Sequence, residues 1–406
     1  MMNKKSAIAL AVGALFAAPA LAQTSEVQIY GRAYPALASF KASGATAAGA
    51  VPATLVTSTQ GDFKRRTSVD AYNTRLGFRG REALGGGMNA IWQIETRARI
   101  DTGAGDTWAN RNSFVGLRGG FGTVKLGQFD TIYKDYGAVV STFGISSGHF
   151  FSTSAVLSDI GLGTEGSANS ADAGFHLRPD NSIAYETPSF GGFQAGIHYV
   201  PHESKGNPGT PDINANLWSA GVKYEAGPLY LALGYERHND WLEGSENSAA
   251  AFQNTNADAR SKDTALRLSA TYRITPQHRL QFDIARLEWD ESGQTAAGRF
   301  DKYEKVTWDI GWEARWGGPW RTHLGYARAD EGDCSLSGGV ACSTNGLKAS
   351  QLNLVVAYDL SKRTFIYGAA SRLSMGESAR YDNWTNGTPP RGSDVSQFAL
   401  GITHSF

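Results

Sequence analysis

Between Met88 and Asp101 the chain alternates with a period of two: Met88, Ala90, Trp92, Ile94, Ala98 and Ile100 share one parity, while Asn89, Gln93, Glu95, Arg97, Arg99 and Asp101 share the other. Only a β-strand separates side chains in this way, one face oily and the other charged. The same division recurs at Val306, Trp308, Ile310, Trp312, Ala314 and Trp316 against Lys305, Thr307, Asp309, Glu313 and Arg315. It recurs again in the last ten residues, where Phe398, Leu400, Ile402, His404 and the terminal Phe406 oppose Gln397, Ala399, Gly401, Thr403 and Ser405. Strands oily outside and wet inside suit a closed barrel in a membrane.

The beginning of the chain agrees with export. Lys4 and Lys5 precede an apolar run from Ala7 to Ala18, and Ala20-Leu21-Ala22 has the small-residue pattern of a signal-peptidase site. Residues 1–22 are therefore expected to be a signal peptide and residues 23–406 the barrel. The whole chain holds 38 basic and 38 acidic residues, and loss of Lys4 and Lys5 leaves the remainder slightly acidic, so charge predicts no nucleic-acid partner. Beyond the signal segment no apolar stretch approaches the roughly 18 residues of a transmembrane helix. The 48 glycines and 11% aromatics fit many strands joined by turns.

Sixteen strands are predicted: Val27–Phe40, Tyr72–Glu82, Met88–Asp101, Arg111–Leu117, Thr123–Phe129, Asn181–Thr187, Phe193–Val200, Asn216–Glu225, Leu229–His238, Leu266–Ile274, Arg279–Trp289, Val306–Trp316, Trp320–Ala329, Leu352–Leu360, Arg363–Ser374 and Gln397–Phe406. Tyr34-Pro35 interrupts the first. In the eleventh the apolar parity switches between Ile284 and Leu287, as a β-bulge would cause. Connectors alternate between short ones, such as Gly317-Gly318-Pro319, and long ones, such as Lys41–Ala71 and Asp130–Asp180. The longest follows the fifth strand; its small residues are compatible with a surface loop or with one folded into the barrel.

Cys334 and Cys342 flank a polar, glycine-containing segment, and an exported chain meets an oxidising compartment, so a local loop disulfide is expected. No cofactor or metal site is expected. Gly161-Leu162-Gly163-Thr164-Glu165-Gly166 matches the dinucleotide pattern by letter but lacks the strand before it and the helix after it. Asp330, Glu331 and Asp333 read as a solvated loop tip, without the ligand spacing of a calcium loop. The eight histidines stand beside no recognisable Ser or Asp motif, which argues against an enzyme. The competing functions are an outer-membrane hydrolase on a barrel and a plugged structural or adhesive barrel.

Three ordered segments, NTRLGFRGREALGGGMNAIWQIE (73–95), NRNSFVGLRGGFGTVKLGQFD (110–130) and RPDNSIAYETPSFGGF (178–193), resemble Gram-negative general diffusion porins of the betaproteobacterial type. The resemblance implies an all-β, 16-stranded antiparallel transmembrane barrel in the bacterial outer membrane, assembled as a homotrimer, with a long third outer loop folded into the pore. Its function would be passive diffusion of small hydrophilic solutes and ions. The implied partners are outer-membrane lipid, lipopolysaccharide, the assembly machinery and small permeating solutes, with Phe406 belonging to the assembly signal.

By motif, Arg75, Arg111 and Arg178 match the family's basic cluster at the constriction. Arg97 and Arg99 join them by parity, with Glu95, Asp309 and Glu313 as candidate counter-charges. Asp130, Asp135, Asp159, Glu165 and Asp172 are the pore-loop candidates. An anion preference follows if the arginines dominate. Arg111 shares its parity with Val115 and Leu117, so it can reach the lumen only from beyond the regular strand. The sequence departs from the family at Tyr34, where an acid is common, and at Gln128, where an arginine is.

Overall fold

The computed structural model describes residues 25–58, 61–163, 174–201, 203, 213–241, 251–254, 259–382 and 389–406. The predicted signal peptide lies outside them. The strands are β1 (Ser25–Ala33), β2 (Pro35–Ser43), β3 (Phe63–Ala71), β4 (Arg75–Gly85), β5 (Met88–Arg97), β6 (Ser113–Gly119), β7 (Gly122–Gln128), β8 (Ser182–Glu186), β9 (Phe193–Val200) and β10 (Asn216–Ala226). They continue with β11 (Leu229–Asn239), β12 (Arg260–Thr275), β13 (His278–Ser292), β14 (Phe300–Arg315), β15 (Trp320–Ala329), β16 (Asp333–Leu336), β17 (Ala349–Asp359), β18 (Thr364–Met375) and β19 (Asp394–Ser405).

These make sixteen staves of one antiparallel barrel. β1 and β2 form a single stave broken at Tyr34, and β3 and β4 another, broken at Tyr72-Asn73-Thr74, where Asn73 is left-handed with φ 51°. β16 is an extra strand in an outer loop, paired to the upper part of β14. Closure is direct: Arg32 pairs with Ser405 and Ala36 with Gly401, so the first stave zips onto the last. Among the described staves no hydrogen-bonding edge is left open, as a lipid-embedded sheet requires.

The outward parity is the predicted oily one, with Val115 60% and Leu400 69% exposed on an otherwise well-packed chain. Such surface calls for an apolar neighbour, hydrocarbon over most of it. The inward parity carries the polar residues.

Two sequence expectations are corrected. Residues 63–71, read as loop, are strand β3; with Arg65, Thr67 and Val69 on its outer face it lacks an oily parity. The parity switch in β13 is not a bulge. Its register with β14 is unbroken from His278 to Asp290, and Leu287 and Trp289 point inward, where they join Leu55, Phe175, Tyr303 and Leu347 in an apolar cluster beneath the outer loops.

The long connector after β7 contains helices α1 (Ile132–Gly137) and α2 (Ser154–Ser158). The Thr131 hydroxyl caps α1 by accepting the Lys134 N–H at 3.3 Å. α1 lies against a cross-strand row of inward glycines, Gly196, Gly221 and Gly234. A Cβ on Gly196 would sit 2.6 Å from Ile132 Cδ1, and one on Gly221 3.0 Å from Tyr136, so the missing side chains let α1 lie close against the sheet. Beyond α1, Gln281 donates to the Ser141 carbonyl at 2.9 Å, and Gln351 and Asn353 donate to the Phe150 and Phe151 carbonyls at 2.8 Å. Lys305 Nζ binds the Asp159 and Ile160 carbonyls at 2.6 and 2.9 Å. Near the outer mouth the buried Arg391 donates to carbonyls of three connectors: Thr57 at 2.8 Å, Ser378 at 2.5 Å, and Leu162 at 2.7 Å together with Gly163.

Candidate functional site: a basic lumenal wall

Inward parity on the first staves puts Arg32, Arg75 and Arg97 in one cross-strand row, Arg32 opposite Arg75 and Arg75 opposite Arg97. Like charges placed so are destabilising unless something intervenes. Glu95, two residues from Arg97 on the same face, intervenes. Its carboxylate meets Arg75 Nε at 3.5 Å and Arg111 Nε at 2.5 Å, and accepts the Tyr30 hydroxyl at 3.0 Å. Arg111 does precede the regular strand, which begins at Ser113, and so escapes the parity of Val115.

Arg97 and Arg99 share Asp106, at 3.8 and 3.2 Å. Asn73 Oδ1 accepts from Arg32 and Arg75 at 3.5 and 3.4 Å, while its Nδ2 donates to the Ser147 carbonyl at 2.6 Å, linking the wall to the long connector.

Arg178 enters from the far end of that connector. Its Nη2 lies 3.0 Å from Asp130 Oδ1 and its Nε donates to Asn112 Oδ1 at 2.7 Å. Lys134 Nζ reaches the same carboxylate at 2.8 Å. Burial alone would raise the Asp130 carboxyl, but Lys134 and Arg178 overcome it and hold it well below the ordinary value. For Lys134 burial prevails over Asp130, and the amine is pushed down to about 8.

The five arginines singled out in the sequence are thus on one side of the lumen. Arg32 belongs with them and was missed, although it shares the inward parity of Tyr30. The acids divide differently from expectation. Glu95 and Asp130 meet the arginines, and so does Asp106, which the sequence reading did not consider. Asp309 and Glu313 lie on β14, on the far wall, where Glu313 pairs with Arg279 at 3.1 Å. Asp135 is exposed on α1, and the charges acting on it most are Lys125, Asp130, Glu186 and Lys223. Asp159 is buried at the Lys305 anchor. Glu165 and Asp172 lie outside the described residues.

Tyr34, at the position where the family commonly has an acid, is fully buried and stacks on Tyr367 at 5.1 Å, so it brings no negative charge to the row. Cys334 and Cys342 are disulfide-bonded, with Cα atoms 5.8 Å apart. The loop-tip acids Asp330 and Glu331 pair with Arg328 and Lys348 at 2.9 and 3.1 Å.

Known proteins agree with this architecture. The chain is 32% identical over 225 residues to the major outer membrane protein P.IB of Neisseria gonorrhoeae, a match covering 55% of this chain and 53% of that protein. Against the P.IB protein of Neisseria lactamica it is 26% identical over 242 residues, covering 58% and 60%. The chain therefore spans between half and three-fifths of these relatives. In three dimensions it is similar to an anion-selective porin from Comamonas acidovorans, with TM-score 0.67, 22% identity, and 94% and 100% of the two chains covered. OmpT of Vibrio cholerae, in a trimer form, gives 0.61 at 14% identity, covering 94% and 100%. At these identities the likeness speaks for the barrel alone. The model of the Gram-negative porin family, however, matches residues 8–377, nearly the whole chain, and on that match this protein belongs to the Gram-negative porins of the outer membrane.

Proposed function

We propose that the chain forms a water-filled channel for passive diffusion of small hydrophilic solutes and ions, that it prefers anions, and that it works as a homotrimer without catalysing a reaction. The observation that carries the reading is the imbalance on the basic wall. Arg75, Arg97, Arg99, Arg111 and Arg178 are joined by ion pairs to Glu95, Asp106 and Asp130, and Arg32 adds a sixth cation held by Asn73, which leaves positive charge in excess. The connector held along the opposite wall supports a constriction between itself and these arginines. In a gap narrower than the Debye length of about 8 Å at physiological salt, fixed charges govern which ions enter. Lipid, lipopolysaccharide and the assembly machinery are the partners this reading implies, and the trimer form of OmpT, an outer membrane protein of similar fold, supports the same assembly here.

Bilayer recordings across a salt gradient test it. Arg75→Ala and Arg178→Ala are expected to move the reversal potential toward cation preference, most at low salt where screening is weak. A folded trimer that conducts with an unmoved reversal potential would remove these residues from the selectivity site. A trimer that does not conduct would favour the plugged barrel.

A further inference from the structure

The short turns gather a second group of arginines on the far wall. Arg273 and Arg279 are cross-strand partners beside the β12–β13 turn, and Arg315 and Arg321 are partners beside the β14–β15 turn. Both pairs set like charges directly opposite one another, an arrangement that needs compensation. Compensation is incomplete. Glu313 serves Arg279 at 3.1 Å, and Asp359 serves Arg321 at 2.5 Å and Arg315 at 3.6 Å. Four cations meet two carboxylates, and the Glu313 oxygen on Arg279 also accepts the Phe143 N–H at 3.3 Å. Arg273 has no acidic partner among the described residues.

All four arginines line one cavity of about 460 Å³, roofed by Ser141, Phe143 and Gly144 of the long connector. The roof is a tight turn in which Thr142 and Ile145 exchange backbone hydrogen bonds of 3.1 and 3.0 Å. Phe143 is left-handed there, with φ 49°, an unfavourable conformation for a bulky residue. Its ring explains why the turn holds. Phe143 lies over the Arg321 guanidinium at 4.6 Å, with Phe365 also 4.5 Å from that guanidinium. Arg321 is thereby committed to the roof and to Asp359. Arg273, Arg279 and Arg315 keep donors for something else.

We propose that this cavity is a second anion-binding site, distinct from the basic wall, for small oxyanions of the phosphate and pyrophosphate type with two or more negative charges. Guanidinium groups match phosphate oxygens through paired N–H donors, and the volume, near the low end of the usual roughly 300–1,000 Å³ for ligand pockets, suits a small solute. The inference rests on the channel reading, which places the short turns at the periplasmic side. There the site would receive anions that have passed the arginine wall.

Single channels in a planar bilayer, titrated with inorganic pyrophosphate from one side at a time, provide the test. In the wild type, half-block from the short-turn side is expected at a concentration at least fivefold lower than from the loop side. In the Arg273→Gln/Arg315→Gln double variant the two concentrations should become equal, and Arg273→Gln alone, at an exposed position, should go part of the way. Equilibrium dialysis of detergent-solubilised protein against labelled pyrophosphate should show the matching loss of affinity. Conducting channels that lack the asymmetry, or a variant that keeps it, would overturn the second site alone. A wild-type protein that does not conduct would overturn the channel reading with it.

Discussion

Gly31 is the residue on which the ends of the chain meet. Its N–H donates to the Phe406 carbonyl and its carbonyl accepts the Phe406 N–H, both at 3.1 Å. A Cβ at Gly31 would lie 2.5 Å from the Phe406 ring, so the terminal aromatic covers a gap that any side chain would fill. Deleting Phe406 removes two ladder bonds, each worth about 0.5–1.5 kcal/mol, and Gly31→Val displaces the ring. Both changes are expected to lower the temperature at which folded protein converts to the unfolded band in electrophoresis, and to reduce its abundance in the outer membrane. Unchanged values for both variants would separate the seam from assembly. Phe406 was visible in the sequence because it closes an alternating strand; Gly31 was not, because the atoms it makes room for belong to Arg75 and Phe406, both distant along the chain.

Among elements, legibility followed the contrast between faces. β4 and β5 have an oily face and a polar one, and their alternation sets Arg75 against Leu76 and Phe78 on β4, and Glu95 and Arg97 on the polar face of β5. The signal failed where an element leaves that setting. The inward face of β13 turns apolar at Leu287 and Trp289 because loops, not water, cover it there. The glycine row beneath α1 is composed of three residues on three strands, and no local window contains it. The connector itself carries a testable proton. Lys134 has its proton affinity lowered to about 8, so it is charged below that pH and neutral above it. Raising the pH from 7 to 9 thus subtracts positive charge beside Asp130 and Arg178. Anion preference, read from the reversal potential, is expected to fall over this interval, and Lys134→Gln should flatten the change. An equal pH response in that variant would assign the titration to another group.

At the scale of the molecule, the barrel wall and the outer mouth are stabilised separately. The wall is a closed ladder of backbone hydrogen bonds, whereas the mouth is held by side chains and single backbone bonds that cross between connectors. The disulfide belongs to the mouth and joins residues only 8 apart. Cys334→Ser is therefore expected to leave the barrel folded, with a loss at the low end of the roughly 0–5 kcal/mol range for disulfides. Unreduced protein should show no free thiol, and near-identical far-ultraviolet spectra for the two proteins would check the first point; collapse of the barrel would refute it. Arg391, by contrast, ties Thr57, Ser378 and Leu162 through one guanidinium. Connectors fastened to a common post cannot drift apart one at a time. Among descendants of this chain, lengthening any one of the three should survive chiefly when the other two have changed to match, so the exposed face most open to diversifying selection is bound to evolve as a set.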